Sequence, residues 1–177
     1  MKTSPLKSNK EVDLSSDTIT RDVLLLREKI NGPKKELERK QEDKRKLQKQ
    51  KPNPTTQLLI SNLSGDIKKI QKEIDGYNNQ ITELENKLIT SEQKLSSMLI
   101  ELEEEITVAS GKIQEAEQQL LQAKSTREYD KLIGDIELNK TSIESLNKEK
   151  KQTQDELTME RKYTRILKNS LENQNES

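Results

Sequence analysis

The chain has 177 residues, 28% hydrophobic and 36% charged, with 32 Lys plus Arg against 32 Asp plus Glu. It contains no Cys, His, Phe or Trp, which removes disulfides, thiolate and imidazole metal sites, the commonest nucleophiles and bases, and the large rings of a compact core. A formal net charge of zero does not suit a chain that coats nucleic acid along its whole length, and no apolar run approaches the roughly 20 residues that span a bilayer.

Residues 1 to 16 read as a disordered tail. The first ten residues are polar with no hydrophobic stretch, so no secretory signal is expected. Ser4-Pro5 reads as tail or as a phosphorylation site. Ser16 or Asp17 is predicted to cap a short helix. Ile19, Val23, Leu26 and Ile30 then alternate at four and three and give it one apolar face. Gly32-Pro33 is predicted to stop or kink this helix, because proline lacks the backbone donor and restricts the residue before it.

Residues 34 to 51 are dense in charge. Lys34, Lys35, Arg39, Lys40, Lys44, Arg45, Lys46, Lys49 and Lys51 stand against Glu36, Glu38, Glu42 and Asp43, a local excess of five positive charges. Only Leu37 and Leu47 are apolar. Propensity and oppositely charged neighbours favour a helix, and the first reading is a solvated helix or linker. The second is weak, salt-sensitive contact with nucleic-acid phosphates through Lys34, Lys35, Arg39, Lys40, Lys44, Arg45 and Lys46. Pro52 and Pro54 are predicted to end the segment, with Thr55 or Thr56 capping the next helix.

From residue 60 the chain carries a heptad of aliphatic side chains. Ile60, Ile67, Ile74, Ile81, Leu88, Leu95 and Leu102 recur every seven residues, and Leu63, Ile70, Tyr77, Leu84 and Met98 follow three behind, with Ser91 in the one polar slot. This spacing puts them on one narrow stripe of a helix. A stripe so narrow must be covered by a second helix, from the same chain or a partner. A strict two-in-seven seam needs about 29% apolar residues, so the chain's apolar content is nearly used up by its seams.

After Leu102 the phase slips by four to Ile106, then runs through Ala109, Ile113, Ala116, Leu120 and Ala123. Such a stutter unwinds a supercoil without ending it. A third register starts at Tyr129 and continues through Leu132, Ile136, Ile143, Leu146, Leu157, Leu167 and Leu171, with Asn139, Lys150, Thr153, Glu160 and Thr164 in its polar slots. Polar residues there weaken a seam and select its partner. Residues 124 to 128 fit neither phase and are predicted to be a hinge or the turn of an antiparallel hairpin. A second turn candidate is Asp75 to Asn79, ranked lower because the heptad passes through Tyr77.

The predicted fold is therefore all-α, an elongated coiled coil or helical hairpin with no globular core. Its predicted parts are a tail (1–16), a short helix and a basic helix (17–51), a main coiled coil (55–124), a second coiled-coil segment (125–172) and a frayed tail (173–177). No pocket, Gly-rich phosphate loop or calcium loop is expected, so no enzyme activity, cofactor or metal is predicted.

Leu120-Leu121-Gln122-Ala123-Lys124, Ser125-Thr126-Arg127 and Glu128-Tyr129-Asp130, followed by Leu132 and Ile136, resemble the core of the THO complex subunit 7 family. Glu160-Arg161-Lys162 before Leu167 resembles the family's C-terminal helix, and Asp17 to Leu26 is similar to its N-terminal start. The resemblance lies over residues 100 to 171. It implies a nuclear, non-catalytic helical subunit of a complex that couples transcription to mRNA packaging and export, paired as a hetero-oligomer with a coiled-coil subunit like subunit 5. Leu120, Gln122, Ala123, Lys124, Glu128, Tyr129 and Asp130 match the family's motif, with the Tyr129 ring expected to pack against the partner. Without the resemblance, the same periodicity suits a coiled-coil adaptor of a tethering, kinetochore or cytoskeletal assembly, with a cytoplasmic location as the alternative. No membrane partner is expected.

Overall fold

The computed structural model describes residues 15–175, and three helices account for nearly all of them: α1 (Ser16–Gln48), α2 (Pro54–Leu120) and α3 (Thr126–Asn175). No strand occurs among the described residues. The expected tail and its Ser4-Pro5 site lie outside them, apart from Ser15 and Ser16. α3 continues to Asn175, past the predicted fraying point at 173.

Each helix starts where the local chemistry satisfies its free N–H groups. Ser15, not Ser16 or Asp17, caps α1, its Oγ accepting from the Thr18 N–H at 3.3 Å. Asn53, not Thr55 or Thr56, caps α2, its Oδ1 accepting from the Thr56 N–H at 2.8 Å. Pro54 then holds the first helical position, where a missing donor costs nothing. Ser125 caps α3, its Oγ accepting from the Glu128 N–H at 3.1 Å, while the Glu128 carboxylate accepts from the Lys124 N–H at 3.1 Å. Ser125-x-x-Glu128 has the capping-box spacing.

Two sequence expectations are corrected within the helices. α1 does not end at Gly32-Pro33: it runs through Pro33 as one helix. Ile30 before the proline and Leu37 after it both pack against α2, so tertiary contact holds the helix across the missing hydrogen bond. α2 likewise passes through Asp75 to Asn79 without a turn, and Gly76 has no left-handed backbone. The break predicted at 124–128 lies earlier, at the non-helical residues 121–125: Ala123, expected on the seam, is in it, and residues 126–128 already belong to α3.

The described chain divides into two compact units. One comprises residues up to Leu88 together with Tyr163 onward; the other is Ile89–Lys162. In the first, α1 and α2 are antiparallel: as α1 advances from Val23 through Ile30 to Lys40, its partners on α2 fall from Ile81 through Ile74 to Asp66. The C-terminal part of α3 adds a third helix there. Leu167 joins Ile19 and Val23 of α1 and Ile81 and Leu88 of α2 in a single cluster. A second cluster, Ile30, Ile70 and Ile74 with Leu37 and Tyr77 against it, has no α3 member. The architecture is thus three packed helices rather than a simple hairpin.

In the second unit, α2 and α3 form an antiparallel pair. Glu92 meets Arg161 at 3.4 Å and Glu103 meets Lys150 at 3.5 Å, which sets the register. The same register places the small Ala116 level with Ile136 and Ala109 level with Ile143. A small residue facing a large one keeps the two helices close.

Candidate functional site

The seams are the feature from which a functional site is built. Of the residues predicted to form them, Ile70, Ile74, Ile81, Leu88, Leu95, Leu102, Ile136, Leu157 and Leu167 are buried. Ile60, Leu63, Ile67, Tyr77, Leu84, Met98, Ile106, Ile113, Leu120, Leu132, Ile143 and Leu146 are half-buried. Tyr129 is 50% exposed and Leu171 is exposed, so neither ring nor branch is covered by the chain's own helices. Thr153, a polar seam slot, is buried with its hydroxyl donating to the Glu149 carbonyl at 2.9 Å, which satisfies it locally.

The deepest burial falls where three helices meet. Where three meet, Val23 is 0% and Leu88 2% exposed. Where only two pack, the seam alternates between buried and half-buried, as in Leu102, Ile106, Ala109, Ile113 and Ala116. Two cylinders touch along a line, so residues flanking it stay partly wet; a third helix closes that gap.

Arg27 is a buried seam side chain that the apolar periodicity did not single out. It is four residues after Val23 and three before Ile30, inside the α1 stripe, and it is 4% exposed. Its Nη1 donates to the Leu167 carbonyl at 2.8 Å and its Nη2 to Glu85 at 2.6 Å. One guanidinium therefore bridges all three helices, using the fixed donor fork that arginine supplies and lysine does not. The only available signal was its place in a three-four series.

The basic segment forms the second half of α1. Lys40 is half-buried and donates to Asp66 at 2.8 Å, with Glu36 at 3.9 Å. The hydrogen bond and charge of Lys40 hold the Asp66 carboxyl below its ordinary value near 3.8. Lys44 is half-buried, and Arg45 pairs with Glu42. Lys34, Lys35, Arg39 and Lys46 are exposed. The structure therefore splits the predicted phosphate-contact set into an inward group and an outward one.

Among the described residues no group of three or more His, Cys, Asp or Glu side chains converges to hold a metal ion. No described helix is long and apolar enough to cross a membrane. Among the described residues an open concavity lies on α2 along Ile89, Glu92, Gln93, Ser96 and Ser97. Fold and seams together define an all-α helix-packing protein. No known family, curated protein or solved structure matches the chain.

Proposed function

We propose that this chain is a non-catalytic scaffold subunit that receives a helix of another protein along its two-helix stretches, within a nuclear complex of the THO type coupling transcription to mRNA processing and export. One observation carries the helix-receiving part. Between two helices the seam is left half-buried at Ile60, Leu63 and Ile67 in one unit and at Ile106, Ile113 and Ile143 in the other, while Ile70, Ile74, Leu102 and Ile136 along the same seams are buried. A partner helix supplying apolar residues there would bury them as Leu167 does for Val23 and Leu88. The partner is a coiled-coil protein with its own heptads, and the assembly is a hetero-oligomer.

The THO assignment rests on the resemblance of residues 120–130 and 160–167 to subunit 7. The fold gives Ser125 and Glu128 a second role, since both cap α3. Tyr129 and Leu121 stand exposed beside that turn, available to a partner of the subunit 5 kind.

Affinity purification of the tagged chain from its source, with identification of bound proteins, tests both parts. Recovery of THO subunits, and their loss with Ile106→Ser, Ile113→Ser and Ile143→Ser combined while helicity persists, is the expected result. Recovery of another helical assembly would overturn the THO assignment alone. No helical partner at all would overturn the whole reading.

A further inference from the structure

α1 from Lys35 to Lys49 has two sides. Leu37, Lys40, Lys44 and Leu47, spaced at three and four, are half-buried on the side that faces α2. Lys35, Arg39, Glu42, Lys46 and Lys49 follow the same spacing two residues out of phase, which puts them on the opposite side. The four cations of that row are exposed. Glu42 within the row is engaged by Arg45, and the exposed Glu38, three after Lys35, and Asp43, four after Arg39 and three before Lys46, flank it, so the four cations keep a local excess of two positive charges.

We propose that this row is a binding surface for the phosphate backbone of a single-stranded nucleic acid. Its four cations extend over about 21 Å at 1.5 Å per residue, long enough to meet several successive phosphates of one strand. The row has no apolar or aromatic member, so it offers neither the hydrophobic anchor that a protein partner uses nor the apolar face that an interfacial helix inserts into a membrane. A phosphate chain needs neither. Binding is independent of base sequence, because nothing on the row stacks on or reads a base. The assignment differs from the sequence expectation in its members. Lys40, Lys44 and Arg45 are withdrawn by pairing or packing, the exposed Lys34 falls outside the row's spacing, and Lys49 is added. It does not depend on the assembly proposed above, and a failed purification of partners would leave it standing.

The test uses the full chain and a fluorescently labelled oligouridine RNA, titrated at several salt concentrations. The wild-type chain is expected to bind at low salt, with log K falling against log salt at a slope of about −3 for four contacts to a single strand. Replacing Lys35, Arg39, Lys46 and Lys49 together by Gln is expected to weaken binding about tenfold or more and to flatten that slope. A matched variant with Lys131, Lys140, Lys148 and Lys151, all exposed on α3, changed to Gln is expected to stay within about twofold of wild type. Circular dichroism of both variants checks that helicity is unchanged. Absence of RNA binding at low salt, or equal loss in the two variants, would overturn the proposal. So would binding through the row to phosphatidylserine-containing vesicles or to polyglutamate in preference to RNA.

Discussion

Arg27 on α1 and the backbone of Leu167 on α3 are joined by a 2.8 Å hydrogen bond across 140 residues of sequence. A helical carbonyl already serves its own helix, but its oxygen has a second lone pair, and the guanidinium takes it. The same side chain holds Glu85 of α2. A buried arginine with both ends of its fork occupied is costly to disturb, because a replacement leaves groups unpaired or a charge unmatched.

Arg27→Met is therefore expected to destabilise the chain by about 2–3 kcal/mol, with the loss concentrated in α3 from residue 163 onward. Glu85→Gln should cost less, about 1 kcal/mol or below, because that carboxylate is partly solvated. Urea titration gives the totals. Amide hydrogen exchange of residues 163 to 173 gives the location: unchanged protection there in Arg27→Met would mean the bridge does not hold α3.

Pro33 sits inside α1 and removes the hydrogen bond that the Lys29 carbonyl would otherwise receive. Pro33→Ala restores the donor and is expected to raise stability by about 1–3 kcal/mol. A thermal melt checks the sign. A fall in midpoint would show that the proline shapes a bend on which the α1 packing depends.

The two kinds of seam make unequal demands. Leu88→Ala, in the three-helix cluster, is expected to cost about 3 kcal/mol or more. Ile113→Ala, half-buried in a two-helix stretch, should cost about 1 kcal/mol. Equal losses in denaturant titrations of the two would contradict the difference in packing.

Ser125→Ala removes the α3 cap and is expected to cost about 1 kcal/mol. Ser125→Asp should retain most of the stability, since aspartate serves the same N–H and favours the positive end of the helix. A melt of both variants separates capping from any loss common to all substitutions at the turn.

The Lys40–Asp66 pair predicts a pH response. The folded-state carboxyl titrates lower than the unfolded one, so the folded state holds fewer protons near the ordinary carboxyl range. Its contribution is fully present above about pH 4 and fades as pH falls through the lower folded value. Lys40→Met should reduce this component of the acid-induced loss, measured as the difference in urea midpoint between neutral and acid pH. An identical pH dependence in the variant would mean the pair is inert.

The sequence alone determined the local properties of this protein. Three-four spacing made Ile60 to Leu102 and Tyr129 to Leu167 helical stripes, and the loss of phase after Ala123 marked a break close to the turn at residues 121–125. These features are legible because helix periodicity depends on neighbours only a few residues apart. What covers each stripe is a different kind of fact. That α1 closes over Ile70 to Leu88, that Leu167 seals the cluster, that Arg27 rather than Leu26 is buried there, and that Pro33 is carried inside a helix were decided by contacts between residues far apart in sequence. A heptad states that some helix must pack beside it but is indifferent to which, and only the tertiary fold, by bringing particular helices together in one register, makes that choice.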